Sequence, residues 1–249
     1  MIYGLYLSAN GLLTQGMRAD VISNNLANGN THGFKKDFLA LRQRDPEVLR
    51  QGTLGSESQR HLLSIGGAVE GDRSHSIFQQ GELQKTGNPL DFALNGQGFF
   101  KVRSDGGKEF YTRNGAFSLN AQGLLSATNG MSVLSFDGEP MEIGEGSVEV
   151  DETGTLYLDG EAVAQIGIFD LSESGDLHKV GENLFENQGR AQEQPSEAQI
   201  KNGHLEQASV STIREMTSLI EAQRAYQANA RLIGIQDETL GKAISQLAT

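Results

Sequence analysis

Residues 24–37 read NNLANGNTHGFKKD. Four asparagines, Asn24, Asn25, Asn28 and Asn30, fall within seven residues, and Gly33, Phe34 and two lysines follow. The apolar residues ahead of them recur with helical spacing, so this stretch marks where a first helix stops and the chain turns. In ordinary helix termination the amides cap the last turn and Gly29 supplies a left-handed position just beyond it. Asn30, Thr31 and Gly33 then form a turn, and Phe34 plugs back onto an apolar surface. That reading explains one asparagine more easily than four. Side-chain amides donate and accept at once, which suits a joint where several backbone groups need partners.

Upstream, Leu5, Leu12, Ala19 and Leu26 recur every seven residues, with Ile2, Ala9, Gly16 and Ser23 as a second, smaller row. This is the spacing of a coiled-coil-like seam. The C-terminal run TIREMTSLIEAQRAYQANARLIGIQDETLGKAISQL repeats the device: Leu219, Tyr226, Ile233, Leu240 and Leu247 lie seven apart, with Met216, Ala230 and Ile244 as the second row. Thr212 and Glu215 have capping-box spacing, and about 35 helical residues from there span on the order of 50 Å. Two readings are open: two surface helices on a central core, or a terminal hairpin that packs against copies of itself or relatives. Gln223 and Asp237 interrupt the second row, which points to an interface incomplete in the single chain.

Between the helices the chain is rich in turns, with 31 glycines and only 4 prolines. In GNPLDFALNGQGFFKV, Phe92 and Leu94 alternate before Asn95-Gly96, and Phe100 and Val102 follow, which predicts a hairpin. EFYTRNGAFSLNAQGLLSA repeats the pattern around Asn114-Gly115 and turns again at Ala121 to Gly123. SVEVD, TLYLDG and VAQIGIFDL read as further strands. The expected fold class is therefore α+β. It comprises a helix and turn over 1–45, an extended arm over 46–77, a mainly antiparallel β domain over 78–208 with a possible lobe at 137–190, and a C-terminal helix over 209–249 that pairs with the first.

Composition narrows the function. A net charge of −12 argues against general affinity for nucleic acid or anionic lipid. Residues 1–50 carry six basic and four acidic side chains and residues 205–249 four and five, leaving −13 for the middle. No apolar run is long enough for a membrane span, so direct membrane insertion is not expected, and the first twenty residues lack the features of a cleavable secretion signal. With no cysteine, thiolate chemistry is excluded, and the five histidines show no metal-ligand spacing. No phosphate-cradling loop or nucleophile motif occurs. The acidic pairs Asp151/Glu152 and Asp237/Glu238 are the remote candidates for a glycan-acting enzyme, but no tryptophan supplies a sugar platform. No cofactor, metal or catalytic residue is expected.

Asn24 to Lys35, NNLANGNTHGFK, strongly resembles the N-terminal signature of bacterial flagellar rod and hook proteins, close to NNLANxNTxGFK. GELQKTGNPLDFALNGQGFFKV followed by YTRNGAFSLNAQGLL resembles that family's central β signature, and MTSLIEAQRAYQANARLI resembles its C-terminal helix. The resemblance implies a structural axial subunit of the basal-body rod, which crosses the periplasm and transmits motor torque. The paired terminal helices would form an inner tube and the β domain an outer layer. It implies export by the flagellar type III apparatus and assembly with copies of the chain and homologous rod and hook proteins. Proximal-rod and distal-rod members are matched equally well, and a low-copy scaffold or cap protein built from the same elements is the alternative. The residues expected at assembly interfaces are Leu5, Leu12, Leu26, Asn24, Asn25, Asn28, Phe34, Leu219, Tyr226, Ile233 and Leu240.

Overall fold

The computed structural model describes residues 2–43, 69–144, 146–171, 177–188 and 191–247. It is an α+β chain with a helix at each end: α1, Ile2–Ala27, and α2, the 36-residue Thr212–Leu247. Most of the arm expected over 46–77 lies outside the described residues. Its last part forms β2 (Val69–Ser76), which pairs with β1 (Asp37–Gln43) in a two-stranded sheet. The chain divides into two compact units, one built on α1, β1, β2 and α2, the other on residues 28–36 and 76–210.

In the first unit α1 and α2 run antiparallel, with Gly4 against Gln236, Gly11 against Asn229 and Gly16 against Tyr226. Thr14 Oγ1 donates to the Val69 carbonyl at 3.0 Å, tying α1 to β2. Glycine within a helix costs roughly 1 kcal/mol relative to alanine. Here it permits close approach of the facing helix. Among the described residues, Ile22 and Ala222 are the only fully buried apolar side chains of this unit.

The second unit begins with β3 (Leu83–Lys85), β4 (Phe92–Asn95), β5 (Phe99–Arg103), β6 (Glu109–Thr112), β7 (Phe117–Leu119), β8 (Leu125–Ala127) and β9 (Ser132–Val133). β10 (Val148–Val150), β11 (Thr155–Leu158) and β12 (Glu161–Gln165) form a three-stranded sheet. β13 (Ile168–Leu171), β14 (Leu177–Gly181), β15 (Leu184–Asn187), β16 (Glu193–Pro195), β17 (Gln199–Asn202) and β18 (His204–Glu206) complete it. A large sheet runs β14-β15-β6-β5-β9-β8-β7, with β13 on β5 and β16 on β13. Of the stretch 137–190, β10 to β12 make the small sheet while β13 to β15 join the large one.

Both faces of the large sheet are covered. Phe100 and Val102 of β5 pack with Phe92, Phe117, Leu125 and Ile166, whereas Phe99 packs with Tyr111 and Phe185 on the other side. Successive strand side chains point to opposite faces, so a strand buried on both reads as FF rather than as a clean alternation. Each fully buried phenylalanine contributes about 1.5–3 kcal/mol.

The Asn95-Gly96 hairpin does not form. β4 pairs with β17, Leu94 opposite Ile200, and β5 pairs with β6. Side chains take up the backbone groups at this crossing: the Gly96 N–H donates to Gln80 Oε1 at 3.1 Å, and Arg113 donates to the Gly96 carbonyl at 2.8 Å. Asn114-Gly115 likewise joins strands that do not pair, and the Gly115 carbonyl accepts the Phe92 N–H at 3.0 Å. The Ala121 to Gly123 turn does close a hairpin, with Phe117 opposite Ala127.

Candidate assembly joint and helix faces

Asn25 is the buried asparagine of the joint. Its Nδ2 donates to the Asp37 carbonyl at 2.8 Å while the Asp37 N–H donates to its Oδ1 at 2.9 Å. The amide thus engages Asp37 as a neighbouring strand would. Nδ2 also lies 3.4 Å from Glu215 Oε2. Glu215 is buried in the first turn of α2, where the helix dipole favours a carboxylate. Asn24 is exposed. Asn28 supports the turn, accepting the Thr31 N–H at 3.0 Å on its carbonyl and the Thr31 hydroxyl at 3.3 Å on its side chain.

In the second unit, GFK is a plug. Left-handed backbone falls at Gly33, φ 69°, and not at Gly29 as expected. Any side chain at Gly33 would collide with the main chain, since a Cβ would stand 2.5 Å from the Arg113 carbonyl carbon. The Gly33 N–H donates to the Glu206 carbonyl at 2.7 Å. Phe34 is 2% exposed, with the Lys179 ammonium 3.7 Å from its ring centroid. Lys35, 1% exposed, places Nζ 2.6 Å from Glu206 Oε1 and donates to the Gln79 carbonyl at 2.9 Å. Arg113 lies 3.6 Å from Glu206 Oε2.

Two buried cations therefore share one buried anion. Burial pulls Lys35 below its ordinary pKa even though Glu206 opposes the shift, and burial does the same to Arg113. Sequence reading missed Arg113 and Glu206 because neither has a local signature. Only Phe34 and the glycine before it hinted that this segment docks.

On the helices, Leu5, Leu12, Leu26, Leu219, Ile233 and Leu240 are half-buried, and Tyr226 is 41% exposed. The second row on α2 differs from the expected one by a residue. Met216, Gln223, Ala230, Asp237 and Ile244 are exposed, whereas Glu215, Ala222, Asn229, Gln236 and Ala243 turn inward. The physical reason is the glycines of α1, which admit polar amides where the pattern called for apolar side chains. Exposed apolar groups consequently line α2, including Ile213, Met216, Ile220, Ile235 and Ile244, with Leu7, Leu13 and Met17 exposed on α1. The side chains of Ile2 and Leu247 lie outside the described residues.

A second charged cluster ties the β body. Lys101 Nζ is 2.8 Å from Glu109 and 3.1 Å from Glu193, and the Tyr111 hydroxyl donates to Glu193. Burial, reinforced by Glu193, raises the Tyr111 pKa above its ordinary 10. Hydrogen bonds from Lys101 and Arg103 hold Glu109 below its ordinary 4.5. The acidic pairs are engaged structurally: Asp151 accepts the Thr153 and Thr155 N–H groups at 2.9 Å, and Glu238 pairs with Lys242 at 2.7 Å. A cleft of about 310 Å³ is lined by Asn28, Asn114, Ala127, Asn129, Glu182 and Leu184, with Glu182 the one ionisable group in its lining. Among the described residues no cluster is arranged to hold a metal, and no helix is long and apolar enough to cross a membrane.

Three family models match in chain order. They are flagella basal body rod protein over residues 5–35, the flagellar hook protein FlgE/F/G D1 domain over 93–158, and the flagellar basal body rod FlgEFG protein C-terminal region over 201–247. Lys35, Arg113 and Glu206 fall one in each. The flagellar basal-body rod protein FlgF of Caulobacter vibrioides is 35% identical over 247 residues, covering 98% of this chain and 97% of that one. FlgG of Buchnera aphidicola subsp. Schizaphis graminum is 30% identical over 262 residues, 99% of this chain and all of that one. FlgG of Bacillus subtilis is 31% identical over 270 residues, 98% and 99%.

Proposed function

Because this chain belongs to the flagellar basal-body rod protein family, we propose that its terminal helices close as a coiled-coil-like hairpin whose outward faces carry the contacts between copies. The protein is a structural subunit of the flagellar basal-body rod, in a family of structural proteins. One observation carries the finer reading. Among its described residues the helical unit buries only Ile22 and Ala222 as apolar core, yet leaves Ile213, Met216, Ile220, Ile235 and Ile244 exposed along one helix. A unit with so little core of its own gains most of its stability from neighbours.

In this proposal Leu5, Leu12, Leu26, Leu219, Ile233 and Leu240 close the hairpin, while Tyr226 and the exposed isoleucines face homologous axial subunits. Asn25 holds the joint at the end of α1, with Asn24 and Asn28 flanking it and Phe34 seated in the β body. The resulting tube crosses the periplasm and carries torque, and the chain reaches it through the flagellar type III export apparatus. The lack of cysteine fits an oxidising destination.

Ile235→Asp tests the outward face, because the single chain leaves that side chain 59% exposed and its own folding does not use it. Tyr226→Asp tests the partly engaged position. Both are expected to abolish rods in isolated basal bodies while the purified β body keeps its melting temperature. Motile cells with normal rods carrying either variant would refute the assembly face. A copy number of only a few per basal body would favour a scaffold or cap.

A further inference from the structure

We infer that the glycine and amide row, rather than the leucine row, sets the register in which α1 and α2 pair, an inference that rests on the hairpin proposed above. A Cβ on Gly4 would stand 3.1 Å from the Gln236 amide, and a Cβ on Gly11 would stand 3.1 Å from that of Asn229. Asn25 meets Glu215 at 3.4 Å on the same row. From Gly4 to Gly11 to Asn25, and from Gln236 to Asn229 to Glu215, the steps are seven and fourteen residues on both helices. The intervening step sets position 18, whose arginine side chain is exposed, at the level of Ala222, which is fully buried. At two of these four levels, therefore, a glycine answers an amide.

The leucine row cannot provide this discrimination. Sliding α2 by one heptad still sets Leu5 and Leu12 against members of the series Leu219, Tyr226, Ile233, Leu240 and Leu247, apolar against apolar, and only a slide in one direction carries Leu26 past the start of α2. The other row changes at every level. A slide one way puts Gly4 opposite Asn229 and Gly11 opposite Ala222, opening a gap beside Gly11 and carrying Glu215 away from Asn25. A slide the other way puts Gly4 opposite Ala243 and Asn25 opposite Ala222, again parting Asn25 from Glu215. A polar residue inside a helix seam fixes register at a cost in stability. Gln236 Oε1 carries such a cost, since it is buried without a hydrogen-bond partner.

The test replaces Asn229 and Gln236 with alanine, so that the row on α2 reads alanine at 222, 229, 236 and 243. Alanine is the best helix former, so helicity is preserved. The chain has no cysteine, so Leu13→Cys and Ile244→Cys, both at exposed positions, give two unique nitroxide sites in the full-length protein. With the native row, pulsed dipolar EPR is expected to show one narrow distance. In Asn229→Ala/Gln236→Ala a second population is expected, displaced by about 10 Å, one heptad of helical rise. Gly11→Asn combined with Asn229→Gly, which exchanges the small and large partners, is expected to keep the single distance. One unchanged narrow distance in the double-alanine variant overturns the register key. A broad distribution in the native background overturns the hairpin itself, and the two failures are thereby distinguished.

Discussion

Glu206→Gln removes the anion between Lys35 and Arg113 with little change of shape. Glutamine keeps the volume of glutamate and retains an acceptor for the Gly81 N–H, which lies 2.7 Å from Glu206 Oε1. What disappears is the charge 2.6 Å from Lys35 Nζ and 3.6 Å from Arg113, two cations with 1% and 4% of their side-chain surface exposed. Breaking a buried pair by removing one partner costs about 3–5 kcal/mol, because the remaining charge is stranded. For a unit of this size that corresponds to a melting temperature lower by roughly 6–20 °C. Lys35→Met leaves Glu206 with Arg113 and the Gly81 N–H, so its expected cost is smaller, about 1.5–3 kcal/mol for one charged hydrogen-bonded contact. Urea unfolding followed by circular dichroism reads both, with the m-value unchanged. A loss under about 1 kcal/mol for Glu206→Gln, or a larger loss for Lys35→Met, would refute the shared-anion account.

Other outcomes follow from the same geometry. Gly33→Ala forces a side chain into left-handed backbone and onto the Arg113 carbonyl carbon, so a loss of at least about 2 kcal/mol is expected in urea titration; a neutral result contradicts the plug. Asn25→Ala deletes the amide that bonds Asp37 and Glu215 and is expected to cost about 1–3 kcal/mol, with faster hydrogen exchange at the Asp37 amide. Unaltered exchange there would remove Asn25 from the joint. Glu109 is held below 4.5 by Lys101 and Arg103, so its stabilisation is complete above pH 4.5 and is lost as pH falls through the depressed folded value. Glu109→Gln should flatten that part of the stability–pH curve, and an identical acid limb in both proteins would count against the pairing.

The helices were legible because their information is local. Leu5, Leu12 and Leu26, and Leu219, Ile233 and Leu240, repeat within one element, and the spacing alone marks a common face. What misled was chemistry that depends on the opposite helix. Asn229 and Gln236 look unsuited to a seam until Gly11 and Gly4 are seen to face them. The strands were legible for the same local reason, but their partners were not. Asn95-Gly96 carries the signal of a tight hairpin, yet Leu94 pairs with Ile200, a neighbour no short-range pattern could name. Among the joint residues Phe34 could be read as a plug because a lone aromatic after a turn needs a pocket. Lys35 offered no such cue, because its partner Glu206 lies 171 positions away.

That separation has a kinetic consequence. The body's first strands, β3 and β4, wait for β18 and β17, and the Lys35 contact waits for Glu206. Loop closure over such distances must be completed before the contacts repay it, which slows folding of topologies dominated by remote pairings. A chain made from its N-terminus would hold β3 and β4 unpaired until residues 199–206 arrived. The fold thus delays part of its own closure, pairing its first body strands only when nearly the whole chain is present.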